Sequence, residues 1–139
     1  MSLEENKALI RRFLDEGYNK RNLTIADELL SPNLVISFFG SVLKGPEGWK
    51  KLANVFLTAF PDIYVTIEET IAEGDKVVAN WSCSGTHKGP LRGIAPTGKE
   101  VTWKGIAIYR IADNKIVEAE GLNDALSIMQ QIGAIPSTE

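Results

Sequence analysis

Apolar residues near the N-terminus recur every three or four positions. Leu9, Ile10 and Phe13 share one helical face, and charged residues occupy the other. This spacing predicts an amphipathic helix over the first seventeen residues, which ends at Gly17. Ser2, followed three positions later by Glu5, matches a capping box at the start of this helix.

The helical period returns three more times. The predicted segments are a short helix over 24–30, a longer one over 45–60, and a last one over 124–132 with Asn123 as its cap. Pro32 supports the end of the second helix, because proline disfavours helical geometry at the residue before it. Pro46 stands near the start of the third helix, where its missing N–H has no helical partner to lose.

The hydrophobic period changes to two residues in the rest of the chain, which is typical of strands. Strands are predicted over 34–39, 63–71, 77–86, 101–111 and 115–122, and Glu73-Gly74-Asp75-Lys76 marks a hairpin turn. Helices segregated from a curved antiparallel sheet make an α+β fold. We expect a single domain over residues 1–139, shaped as a half-barrel or cone whose wide mouth forms an apolar pocket.

Composition excludes several classes of function. The 139 residues carry a net charge of −3, which gives no electrostatic surface for nucleic acid or an anionic membrane. No apolar run approaches the roughly 20 residues of a membrane-spanning helix. The polar N-terminus is unlike a secretory signal, so a cytoplasmic protein is expected. One cysteine, Cys83, and one histidine, His87, leave no internal disulfide and no Cys/His metal cage.

Two carboxylates near the C-terminus are the candidate catalytic groups. Side chains alternate along a strand, so Ile116, Glu118, Glu120 and Leu122 are expected to share a face, and Asp124 joins it if the strand continues. Inside an apolar cone, the proximity of Glu120 and Asp124 would raise the pKa of one of them, and the apolar surroundings would raise it further, as general acid/base chemistry near neutral pH requires. The positive end of the helix dipole at Asp124 would act in the opposite direction. The alternatives are structural: Asp is common in first helical turns, and Glu120 would lie on a solvated face.

Aromatic residues predict the pocket wall. Trp81 and Trp103 stand in the middle of adjacent predicted strands, and Tyr18, Phe38 and Phe39 are placed to close the cone from the helix side. Such walls suit a planar hydrophobic ligand, although large aromatics also simply fill cores. His87 enters a Gly/Pro-rich loop and is expected at the surface, whereas Cys83 is expected to pack as a small apolar residue.

The chain resembles the SnoaL-like polyketide cyclases, also called ester cyclases, of the NTF2-like superfamily with its cystatin-like cone. The segments that carry the resemblance are GPEGW (45–49), AFPD (59–62), AEGDKV (72–77), GTHKG (85–89), GIAPTG (93–98), IYRI (108–111) and DALSIMQQIG (124–133). They follow one another in the family's order across nearly the whole chain.

This resemblance implies an intramolecular aldol ring closure on an aromatic polyketide ester, with no metal or organic cofactor. It assigns the role of acid/base to Asp124. The chain also departs from its relatives: many have His and Trp where Ala119 and Glu120 stand here, and a histidine where Ser37 stands. These departures indicate a pocket adapted to another ligand.

Two other functions remain open. A non-catalytic protein that binds a small ligand, or a stress-associated one, would keep the cavity without a tuned carboxylate. A structural dimerisation module would use only the sheet. The predicted strand 101–111 is apolar on both faces, and both faces therefore need cover. We expect a small hydrophobic molecule as ligand and a homodimer formed through the sheet.

Overall fold

The computed structural model describes residues 2–38 and 40–136. The helices are α1 (Leu3–Leu14), α2 (Ile25–Leu29), α3 (Gly45–Ala59) and α4 (Ala125–Gln131). The strands are β1 (Leu30–Phe38), β2 (Ser41–Lys44), β3 (Tyr64–Glu73), β4 (Lys76–Thr86), β5 (Glu100–Ala112) and β6 (Lys115–Asn123). Within these described ranges, no helix is long and apolar enough to cross a membrane.

The six strands form one curved, open sheet in the order β2-β1-β6-β5-β4-β3. Helices α1 and α3 pack against its inner face, and the apolar core lies between these layers. The predicted α+β cone with a short C-terminal helix is confirmed. The sheet is mixed rather than wholly antiparallel, because β1 pairs with β6 in parallel. Two separated segments of the chain thus meet there, a pairing that hairpin signals do not reveal.

The N-terminal helix begins as its sequence predicts. Glu5 N–H donates to the Ser2 hydroxyl and Ser2 N–H donates to the Glu5 carboxylate, which completes the capping box. The chain then continues as one π-helical turn, Asp15–Asn19, instead of stopping at Gly17. A Cβ at Gly17 would lie 2.8 Å from the Trp49 ring. Glycine is thus needed there for close packing and not as a helix terminator.

The region before α3 contains more strand than the sequence predicts. Strand β1 begins at Leu30, directly after α2, and β2 pairs with it as an antiparallel hairpin. Pro32 lies within β1, between its first and second contacts with β6, where the register shifts. A proline in a strand is tolerated at such an irregularity, because no ladder hydrogen bond from its nitrogen is required there.

The expectation that His87 is exposed is wrong. Its side chain is fully buried, and its Nδ1 accepts a hydrogen bond from the Thr97 backbone N–H at 3.2 Å. The imidazole also packs against the Phe60 ring, with centroids 5.8 Å apart. The loop folds back on the end of α3, where Lys88 N–H donates to the Ala59 carbonyl. This long-range contact carries His87 into the interior, which a Gly/Pro-rich composition does not foretell.

Candidate functional site

An apolar cavity lies between the inner face of the sheet and the helices. Phe38, Tyr18, Trp81 and Trp103 all line it, so the predicted wall residues come together in one place. Their role in binding a substrate stays a prediction. Phe39, which the sequence predicts in the same wall, lies outside the described residues.

The cavity is narrow in this state. Its volume is about 40 Å³, far below the roughly 300–1,000 Å³ of typical ligand pockets. Leu52 and Phe56 line both this cavity and an outer apolar groove between α3, the 90–92 loop and α4. A polycyclic ligand therefore has to displace wall side chains when it binds. Leu52 and Phe56 are the side chains that separate the cavity from the groove.

Several polar groups in the cavity wall remain neutral near pH 7. Burial raises the pKa of the Cys83 thiol to about 12. Burial also raises the pKa of Tyr18, which the nearby Cys83 raises further, and that of Tyr109. Within the described chain, no Asp, Glu or His lines this cavity. These side chains can therefore offer hydrogen bonds to a ligand, but none of them supplies a carboxylate or imidazole base.

A β-bulge decides which β6 side chains face the cavity. Ile111 pairs with Ile116 while Arg110 pairs with Glu118, so one extra residue is inserted in β6. The bulge reverses the alternation that an uninterrupted strand would keep. Ile116, Ala119 and Asn123 line the cavity as a result.

The predicted position of Glu120 inside the cone is therefore wrong. Its side chain is exposed and belongs to a shallow outer pocket together with Ser37 and Ile108, which flank it in register. The expected pair of Glu120 with Asp124 on an inner face does not form.

Asp124, and not Asn123, caps the last helix. The Ser127 backbone N–H donates to the Asp124 Oδ1 atom at 3.0 Å, and the Asp124 side chain is exposed. Its own backbone N–H donates to the Lys104 carbonyl. This arrangement is what the capping alternative predicts, and it leaves the proposed catalytic role of Asp124 untested.

Asn123 lines the cavity, whereas the sequence predicts it only as the cap of the last helix. Its Oδ1 accepts a hydrogen bond from the Trp81 indole Nε1–H at 3.0 Å. The two side chains meet above Gly105, which stands between them in the cross-strand row. A Cβ at Gly105 would lie 2.3 Å from the Asn123 Oδ1 and 2.4 Å from the Trp81 Nε1. Gly105 therefore makes room for this hydrogen bond.

No metal site is evident in residues 2–38 and 40–136. They contain no cluster of three or more His, Cys, Asp or Glu side chains that could hold an ion. Trp103 Nε1 and His87 Nε2 are buried without a hydrogen-bond partner in the same ranges. Because Trp103 lines the cavity, its indole N–H could donate a hydrogen bond to a bound ligand.

The chain matches the model of a protein family and many solved structures. The model of the SnoaL-like polyketide cyclase family matches residues 8–132. A comparison with curated proteins gives no match.

Solved structures similar to this chain share its fold over nearly its full length. A putative SnoaL-like polyketide cyclase from Jannaschia sp. CCS1 is 26% identical, with a TM-score of 0.87 over 96% of this chain and 94% of that one. AclR, a putative hydroxylase from Streptomyces galilaeus, is 27% identical, with a TM-score of 0.90 over 99% and 91%. A putative polyketide cyclase from Acidithiobacillus ferrooxidans is 27% identical, with a TM-score of 0.82 over 95% and 97%.

Proposed function

Because the chain belongs to the SnoaL-like polyketide cyclase family, we propose that it closes a ring in a small hydrophobic carbonyl compound by proton transfer. The proposal requires no metal or organic cofactor. The observation that carries it is the apolar cavity whose wall brings together Tyr18, Trp81 and Trp103. Aromatic side chains of this kind favour a planar, unsaturated ligand.

The proposed reaction is an intramolecular aldol closure. A general base removes a proton from a carbon between two carbonyl groups, and the electron pair moves onto a carbonyl oxygen to give an enolate. The enolate carbon then attacks a second carbonyl of the same molecule. The conjugate acid returns the proton to the resulting alkoxide, so the protein ends in its starting protonation state.

Asp124 is the proposed base. It directly follows Asn123, which lines the cavity, and it stands where β6 passes into α4. One of its oxygens holds the Ser127 N–H, which fixes the orientation of the carboxylate. No hydrogen bond to its second oxygen is found within the described ranges. Because the Asp124 side chain is exposed and does not itself line the cavity, the proposal requires the acidic carbon of the substrate to reach Asp124 from the cavity next to Asn123.

The test is turnover of an aromatic β-keto ester by the parent protein and by Asp124→Asn, followed as ring-closed product by mass spectrometry. Asparagine caps helices nearly as well as aspartate, so folding should survive. Turnover should fall by about 10²-fold or more if Asp124 is the base. Glu120→Gln is the matched control, because Glu120 lies on the outer face and should leave turnover unchanged. Full turnover in folded Asp124→Asn would rule out this assignment.

A second function is favoured by one feature of the site. None of the residues described as lining the cavity is an Asp, Glu or His, as expected of a protein that binds a ligand without transforming it. In that case the parent protein turns over no ester, and Asp124→Asn leaves ligand affinity within a few fold. A ligand at about a hundredfold excess over Kd should still raise the free energy of unfolding by about 2.7 kcal/mol.

A further inference from the structure

We propose that the side-chain amide of Asn123 binds the carbonyl oxygen of the cavity's ligand and that Trp81 holds this amide in position. The proposal rests on the proposed function, since it names the polar group that the hydrophobic ligand must carry. Asn123 is a ligand-binding residue in this scheme, and Trp81 is a positioning residue.

The hydrogen bond to Trp81 fixes which way the amide faces. An indole N–H can only donate, so the atom 3.0 Å from it must be the Asn123 oxygen. The amide nitrogen is thereby left with two N–H donors, and no protein acceptor for it is found in the described ranges. Because Asn123 lines the cavity, an acceptor oxygen on a bound ligand can take one of these donors.

The residue between Trp81 and Asn123 leaves the space that their hydrogen bond needs. Trp81, Gly105 and Asn123 are aligned across β4, β5 and β6. Any side chain at Gly105 would occupy the space of the hydrogen bond, with its Cβ within 2.4 Å of both bonded atoms. The backbone of Gly105 is not in the left-handed region, so conformational freedom is not what requires glycine here. The requirement is space.

A carbonyl oxygen is the acceptor that fits this environment best. The wall offers a neutral amide donor, and burial keeps the Tyr18, Tyr109 and Cys83 groups protonated by raising their pKa values. A neutral acceptor avoids the large desolvation penalty that an anionic ligand would incur in such a site. When the ligand forms an enolate, the same N–H strengthens its bond to the developing negative charge.

The experiment compares two probes that differ in one oxygen, 1-tetralone and tetralin. Their dissociation constants are measured calorimetrically for the parent protein and for Asn123→Leu, which keeps a similar side-chain shape but removes both the N–H donors and the oxygen that accepts from Trp81. We expect the preference for 1-tetralone, the ratio of the two dissociation constants, to fall about fivefold or more in Asn123→Leu. A loss of this size is typical when one net hydrogen bond is removed. The affinity for tetralin should change less than twofold.

Two variants test whether Trp81 acts through Asn123. Trp81→Phe removes the indole N–H, and Gly105→Ala inserts a methyl group under the hydrogen bond. Both should lower the preference for 1-tetralone while the affinity for tetralin stays within about a factor of two to three. An equal loss of affinity for both probes would mean that these residues only shape the cavity, and it would overturn the positioning role.

Trp103→Phe is the matched control, because Trp103 presents the other candidate indole donor in the wall. The preference for 1-tetralone should survive this change. If Trp103→Phe abolishes the preference and Asn123→Leu does not, the carbonyl is bound by Trp103 and the proposal is wrong. If the parent protein binds neither probe, both this proposal and the proposed function fail. If both probes bind with a preference that Asn123→Leu leaves unchanged, this proposal alone fails.

Discussion

Neighbouring residues of β6 point to opposite faces of the sheet, one facing the cavity and the other exposed. On the inner face, Ala119 and Asn123 line a cavity closed by aromatic rings. On the outer face, Glu118, Glu120 and Leu122 are exposed. Ala119 and Glu120, where the resemblance to the family leads us to expect His and Trp, are thus neighbours along the chain but belong to different surfaces. The first can affect a ligand in the cavity, whereas the second can affect only what contacts the outside of the sheet.

The same contrast holds for β5. Trp103 and Tyr109 are buried on its inner face, whereas Ile106 and Ile108 are 48% and 42% exposed on its outer face. Arg110 and Glu118 also form a 2.6 Å ion pair on the outside. Hydrophobicity alone therefore does not tell which face is the core. The helices cover one face and leave the other open.

The largest difference between the inner and outer faces of the sheet should appear in the free energy of unfolding. Trp103 packs on Phe60 and Phe56, with ring centroids 4.8 and 6.1 Å apart. Trp103→Ala should lower the free energy of unfolding by about 3–5 kcal/mol, because it opens a cavity in the core. Ile106→Ala on the outer face is the control and should change it by about 0.5 kcal/mol or less when both are measured at protein concentrations low enough to keep the chain as single copies. Urea denaturation measures both, and equal losses would contradict the assignment of inner and outer faces.

A smaller effect comes from the buried thiol of Cys83. Its pKa is raised by burial from an ordinary value of 9.0 to about 12, so the folded state keeps the proton where the unfolded state loses it. This contribution to stability is fully present below pH 9 and is lost as the pH rises towards 12. We expect a loss of about 1.4 kcal/mol between about pH 8 and pH 10.

Cys83→Ala provides the comparison for this pH dependence. Between about pH 8 and pH 10 the variant should lose about 1.4 kcal/mol less than the parent protein. The remaining decline towards higher pH should persist in both, because burial also raises the pKa values of Tyr18 and Tyr109, which act in the same direction. Denaturation curves at several pH values give both slopes. Parallel slopes for parent and variant would show that the thiol is not shielded from water.

Most of the fold could be predicted because it depends on local patterns. The capping box of Ser2 and Glu5, the helical stripe of α3 and the turn at Gly74 each act over a few residues. The parallel pairing of β1 with β6 joins segments about eighty positions apart, and no local pattern encodes it. The burial of His87 escapes sequence reasoning for the same reason, since its contacts come from Phe60, directly after α3, and from Thr97.

The wall of the site was more predictable than its polar groups. Tyr18, Trp81 and Trp103 are large aromatics, and residues of this kind seek the interior wherever a strand alternates. The faces of Glu120 and Asn123 depend instead on one inserted residue in β6. A bulge changes the face of every later side chain, and nothing in the sequence of β6 marks its position. A glycine at 105, opposite Trp81, is the one local signal that could have indicated Asn123.

The helix cap at Asp124 should contribute less than the buried groups. Asp124→Ala removes the acceptor for the Ser127 N–H and should lower the free energy of unfolding by about 1 kcal/mol. Asp124→Asn retains an acceptor and should cost only a few tenths of a kcal/mol, from the lost interaction with the helix dipole. Thermal denaturation of the two variants checks this order. A large loss in Asp124→Asn would mean that the charge itself, and not the cap, stabilises the fold.

Substitutions on the outer face should affect folding least. They should instead change the association of two copies of the chain. We propose that two copies pack through this face, because Ile106, Ile108 and Leu122 are exposed there together and a strand that is apolar on both sides needs cover on both. Sedimentation of the parent protein should then give about twice the 15.3 kDa of one chain.

Ile108→Lys separates association from folding. In a single copy the new ammonium lies opposite Glu120 in register, so the free energy of unfolding should change by about 0.5 kcal/mol or less. In a dimer the same charge would be taken out of water at the centre of the contact, which is strongly unfavourable. The variant should therefore sediment as a folded monomer, whereas Leu126→Lys, at an exposed position of α4 rather than of the sheet, should remain dimeric. A monomeric parent protein, or an Ile108→Lys variant that still dimerises, would show that the outer face is not the contact.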